Sequence, residues 1–169
     1  FRILQADPDF EAPTGLAAAY GQALSDVALP DGFSWQEDAS TPVGPVGDNG
    51  FHVVYAPADQ RNYKTVRDVP VTVRVSPASI AALDFGVDEG DVVYTGEPRT
   101  KAVSCEGLVA GTDYEVTYSD NVEAGTAKLV IEGMGNYSGR QEHSFRILQA
   151  DPDFEAPTGL AAAYGQALS

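Results

Sequence analysis

Apolar and polar residues alternate with a period of two along most of this chain. Phe51, Val53 and Tyr55 fall on one side of a run, with His52 and Val54 on the other. Val71, Val73 and Val75 alternate with Thr72 and Arg74, and Tyr114, Val116 and Tyr118 with Glu115 and Thr117. Leu129 and Ile131 alternate with Lys128 and Val130, and Phe145 and Ile147 flank Arg146. Short alternating runs bounded by Gly, Pro, Asn and Asp predict antiparallel strands with one buried face. The 17 Gly and 11 Pro supply the breaks, and no stretch carries a helical stripe. Ala17–Ala19 has helical propensity. Leu16, Ala18 and Tyr20 nevertheless alternate and Gly21 closes the run, so it is predicted as a strand.

Strand-sized segments about ten residues apart predict an all-β chain built of small β-sandwiches. Two halves echo each other. The first reads AYGQALSDVALP, GFSW, FHVVY, RNYKTV and VPVTVRV; the second reads VYTGEPRTKAVS, TDYEVTY, NVEAGTAKLVI, GNYSGR and HSFRIL. Modules are therefore expected at 15–75 and 76–148. Residues 1–14 are expected to hold the closing strand of a preceding module plus a linker, and 149–169 a linker and the incomplete start of another first-type module. One core of this size supplies only about 3–5 kcal/mol, so contacts with neighbouring modules are expected to add stability. Pro8 and Pro13 stiffen the linker, predicting an elongated rod.

A longer identity lies above this one. FRILQADPDFEAPTGLAAAYGQALS occupies residues 1–25 and recurs letter for letter at 145–169, an offset of 144 residues. Such identity is expected of recent duplication in a long tandem array, of which the chain holds one period and a 25-residue overlap. An artificial terminal duplication is the competing account. Both FRIL copies suit the last slot of the second module. The local copy, 145–148, is expected to win because its loop is shorter, leaving the other to pair with a neighbour's exposed edge.

Composition narrows the function. The 169 residues are 43% hydrophobic, enough for packed cores, and carry 10 basic against 25 acidic side chains for a net charge of −15. That balance argues against nucleic acid and anionic lipid as partners. No run of 18 or more apolar residues predicts membrane insertion. The one cysteine, Cys105, excludes an intrachain disulfide and is expected to be a small buried hydrophobe, with interchain cross-linking as the alternative. His52 and His143 sit in predicted strands without a nucleophile at useful spacing, and no nucleophile elbow, phosphate loop or zinc helix is present. The expectation is no enzyme.

The stretches GLAAAYGQALSDVALPDGFSW, VGPVGDNGFHVVYAPADQRNYKTV and VTVRV resemble a tandem module of large bacterial surface proteins. VVYTGEP, GTDYEVTYSDNVEAGTAKLVIEGMGNYSG and FRIL resemble a second, bacterial Ig-like or MBG/YDG-type, module. The resemblance implies two Ig-like β-sandwich modules in tandem, extracellular at the bacterial cell surface or wall. It also implies a role in cell adhesion as a stalk, spacer or filament segment. Neighbouring repeats of the same chain are the implied partners, with like chains in a filament or a host glycan or protein as further ones. The chain lacks a secretion signal and a wall-anchoring motif, as expected of an internal piece.

Four groups of residues invite chemistry. Asp7, Asp9 and Glu11, repeated as Asp151, Asp153 and Glu155, place three carboxylates at alternate positions. They read as a solvated acidic hinge; the sharper alternative is calcium bridging linker and loops with help from Asp113 or Asp120. Lys101 is the best placed of Lys64, Lys101 and Lys128 for an isopeptide cross-link, against the expectation of an exposed lysine at a strand edge. Asn62–Tyr63 and Asn136–Tyr137 precede each closing strand and are expected to pack their rings at the core end, as in a tyrosine corner. Trp35 and Tyr114 are expected to anchor the cores.

Overall fold

A computed structural model describes residues 2–155 and Thr158. The start of a further module expected within 158–169 therefore lies almost wholly outside the described residues. The described residues are all-β apart from a short 3-10 turn at Leu24–Asp26. Strands β1 (Leu16–Ala19), β2 (Phe33–Trp35), β3 (Gly47–Tyr55) and β4 (Val66–Ser76) form a first sheet in the order β1-β4-β3-β2. Then follow β5 (Ala78–Ser79), β6 (Gly86–Val87), β7 (Val92–Val93), β8 (Val103–Ser104), β9 (Tyr114–Ser119), β10 (Gly125–Gly133), β11 (Tyr137–Ser138) and β12 (Arg140–Leu148). The second sheet runs β7-β12-β10-β9, and two ribbons pair β11 with β5 and β6 with β8.

The period-two pattern places the cores. On β4, Val69, Val71, Val73 and Val75 are buried while Pro70, Thr72 and Arg74 are exposed. They join Leu16, Leu24, Val27, Val43 and Val53 in one cluster. On the second sheet Tyr114, Ala127, Leu129, Ile131, Phe145 and Ile147 face inward and meet Ile80 and Phe85. The two clusters share no residue. The Ala17–Ala19 segment is a strand as expected.

Strand direction departs from the expectation. β1 pairs parallel with β4, and β7 parallel with β12, while the β2·β3, β3·β4, β9·β10 and β10·β12 pairs are antiparallel. Alternation records which face of a strand is buried, not which way its neighbour runs. In each four-stranded sheet an edge strand thus lies parallel beside the last strand of its half, although in the second half β5 and β6 precede that edge strand. The registers correspond as well: Ala18 faces Val75 and Ala19 faces Ser76, as Val92 faces Ile147 and Val93 faces Leu148. Gly47 opposite Val75 matches Gly125 opposite Ile147, both at positive φ (122° and 150°) where a Cβ would be strained.

The two FRIL copies have separate fates. Residues 145–148 complete β12, with Phe145 and Ile147 buried, whereas Ile3 and Leu4 are 80% and 70% exposed. Residues 5–13 lie along the first sheet. Ala6 bridges Tyr63, Pro13 is buried, and the Phe10 ring stacks on Tyr55 at 4.6 Å and meets Phe33 edge-on at 6.0 Å.

Candidate functional site

The feature with the most specific geometry is the passage from β4 into β5. Only Pro77 separates the end of one strand at Ser76 from the start of the next at Ala78. Pro77 cannot donate a backbone hydrogen bond, so the ladder changes sheet there. Ala78 N–H donates to Asn136 O at 3.0 Å and Ile80 N–H to Ser138 O at 2.8 Å. The Asn136–Tyr137 turn therefore receives the incoming chain.

That turn also reaches back across the junction. Asn136 Oδ1 accepts from Val46 N–H at 3.0 Å, and the Tyr137 ring meets Tyr20 edge-on with centroids 5.4 Å apart. Tyr20 is fixed by its own N–H, which donates to Ser76 O at 2.9 Å. Burial, reinforced by the ionisable Tyr20, Asp113 and Cys105 nearby, raises the Tyr137 hydroxyl above its ordinary range.

The sibling turn, Asn62–Tyr63, does the same for residues 5–7. Ala6 N–H donates to Asn62 O at 2.8 Å and Lys64 N–H donates to Ala6 O at 3.0 Å. Gln5 Nε2 adds a bond to Gln60 O at 2.6 Å and Lys64 Nζ one to Asp7 at 2.7 Å. Asp59 holds the turn through Asn62 Nδ2 at 2.7 Å, a bond that lowers the Asp59 carboxyl below its ordinary range. Tyr63 itself is 41% exposed, outside both cores, whereas Tyr137 packs on the second core. The expected core role of the Tyr63 ring is thus corrected: Tyr137 is covered by Tyr20 of the module before it, and no described module precedes Tyr63.

Trp35 packs against the first core and its Nε1 donates to Val27 O at 3.4 Å. Tyr114 is 2% exposed, meets Phe85 edge-on, and donates to Val103 O at 3.2 Å. Asp9 and Glu11 are exposed, as are Asp151, Asp153 and Glu155, and Asp7 is engaged by Lys64. Among the described residues no group of three or more His, Cys, Asp or Glu side chains gathers as a metal cage. Asp113 spends its carboxylate on Val109 N–H at 2.8 Å.

Lys101 corrects the expectation of an exposed strand-edge lysine: it is 5% exposed. Its Nζ donates to Gly90 O at 2.6 Å and sits 5.8 Å over the Phe145 ring. Tyr118 Oη donates to the Lys101 carbonyl at 2.7 Å. Its hydrogen-bond partners are backbone carbonyls, so the acid and facing amide that an isopeptide bond requires are not in contact with it. Alternation put Lys101 on the face of Val103 and Cys105; what it omitted was the 89–91 loop, whose carbonyls make burial of an ammonium tolerable. Cys105 is half-buried against the second core. His52 Nδ1 lies 3.1 Å from Glu37 and His143 Nε2 lies 3.3 Å from Gln141; among the described residues neither ring is hydrogen-bonded to a hydroxyl or thiol.

No family model matches the chain, and no curated protein matches it.

Proposed function

We propose that the chain is a structural repeat unit, a stalk or spacer of a long extracellular bacterial surface adhesin or filament, made of Ig-like sandwich modules and devoid of catalysis. The observation that carries this reading is the junction: two four-stranded sheets with the same strand order and pairing sense, in halves joined through a single residue and pinned by Tyr20–Tyr137 and Val46–Asn136. A joint this short transmits orientation from one module to the next, which a spacer needs and a freely jointed binding module does not. The surplus of acidic side chains keeps neighbouring rods apart over short range. Antibodies raised against this chain test the reading on intact cells that express it. Surface labelling without permeabilisation is expected; labelling that requires permeabilisation refutes it.

A second reading, recognition of a host glycan or protein, draws on one observation. Phe33 and Trp35 line an open cleft of about 510 Å³ together with Leu24, Val27 and Leu29. A saturable change in Trp35 fluorescence on titration with oligosaccharides would favour it over the stalk.

A further inference from the structure

The two copies of the 25-residue segment are complementary in what they leave uncovered. In the second copy Ile147 is 3% exposed and Phe154 is 74% exposed. In the first copy Ile3, at the position of Ile147, is 80% exposed, whereas Phe10, at the position of Phe154, packs onto the first core. Together they define one continuous path: a segment that closes one second-type module and then straps onto the first-type module after it. Leu148 ends β12 and corresponds to Leu4, and Ala150 corresponds to Ala6, which bridges Tyr63. Only Gln149 lies between. Two peptide steps span at most about 7 Å, so consecutive repeats abut.

The junction inside the repeat has the same construction. Ser76, Pro77 and Ala78 stand 72 residues after Leu4, Gln5 and Ala6, half of the 144-residue period. Tyr20 N–H donates to Ser76 O at 2.9 Å, and Tyr94 N–H donates to Leu148 O at 2.9 Å. Tyr94 is thus the counterpart of Tyr20. Ala124, the residue before Gly125, is the counterpart of Val46, the residue before Gly47. Tyr94, Glu123, Ala124, Ala150 and Pro152 line an open cleft of about 510 Å³ where the counterpart of Tyr137 would sit. Among the described residues eight large hydrophobics are exposed; Val93, Leu148 and Phe154 belong to this end of the chain, and Ile3, Leu4 and Tyr63 to the other.

We propose that this cleft receives Tyr63 of the next repeat, whose ring packs on Tyr94 as Tyr137 packs on Tyr20, while Asn62 Oδ1 of that repeat accepts from Ala124 N–H. The occupant is a second copy of this chain, joined in series. The proposal rests on the array reading above and gives that array its stiff joint.

The test extends the full chain by one period, residues 26–169 repeated after Ser169, so that both copies of Tyr63 sit in one molecule. Tyr63→Ala in the second copy is expected to lower that copy's melting midpoint by about 4 °C. The same change in the first copy, which has no module ahead of it, is expected to shift it by less than about 1 °C. Tyr63→Phe in the second copy keeps the ring and is expected to retain the midpoint, and the first copy's Ala124 amide is expected to gain hydrogen-exchange protection relative to the unextended chain. Equal effects from both copies, no effect from either, or an unprotected Ala124 would overturn the proposal. Tyr63 is exposed, so its truncation leaves folding intact. Failure here leaves surface labelling of cells unaffected, and failure of that labelling leaves this contact standing, so the two readings fall separately.

Discussion

Among the glycines described, Gly133 is the one at which an added side chain meets its neighbours most closely. A Cβ built there would lie 2.7 Å from the Ser138 backbone nitrogen and 2.9 Å from both its Cα and its carbonyl carbon. All three atoms are backbone and cannot rotate away. Ordinary contact begins near 3.4 Å, so Gly133→Ala must push β11 off by about 0.7 Å or bend β10. Either motion strains Gly133 N–H···O Gly139 (3.0 Å) and, through β11, the Ala78 and Ile80 bonds to Asn136 and Ser138. Overpacking of this kind costs about 1–3 kcal/mol, equivalent to a fall in melting midpoint of roughly 5–20 °C for a module of this size. The assay separates the modules because Trp35 is the only tryptophan and packs in the first core. Far-UV circular dichroism is expected to show an earlier transition in the variant, with tryptophan emission lagging behind it. An unchanged transition would refute the packing argument, as would a Trp35 transition that falls first.

Four further outcomes are expected. Asn136→Ala removes the acceptor for Val46 N–H and is expected to cost about 0.5–1.5 kcal/mol, read as faster hydrogen exchange at Val46 with little change at Val73. Lys101→Ala is expected to destabilise the second module by about 2 kcal/mol through lost packing of its stem and lost bonds to the 89–91 loop, measured by urea unfolding. The folded Asp59 carboxyl lies below its ordinary value, so its contribution is present above that value and disappears as pH falls through the folded one. Amide exchange at Asn62 and Ala6 is therefore expected to quicken in that acid window. For Tyr137 the shift is upward, so its contribution holds below the ordinary tyrosine value and is lost as pH rises through the folded one.

Several of these residues were visible in the linear pattern and others were not. Val71 to Val75 and Leu129 to Ile131 could be read directly because a strand with one buried face repeats every second residue. The Asn–Tyr pairs were visible as a repeated motif, yet their shared task of receiving an incoming strand needs Ala6 and Ala78, which lie 57 and 59 residues away from Tyr63 and Tyr137. The acidic run at Asp7 looked like a free hinge because local composition does not record Lys64 or the Phe10–Tyr55 stack.

The amino-acid sequence by itself determined the all-β character, the inward faces and the two-level repetition, since each depends on residues close in the chain or on identity between segments. Tertiary structure decided the parallel seating of β1 and β7, the burial of Lys101, and the different surroundings of Tyr63 and Tyr137. Those outcomes depend on which distant backbone groups and rings come to lie alongside, and side-chain alternation carries no information about that.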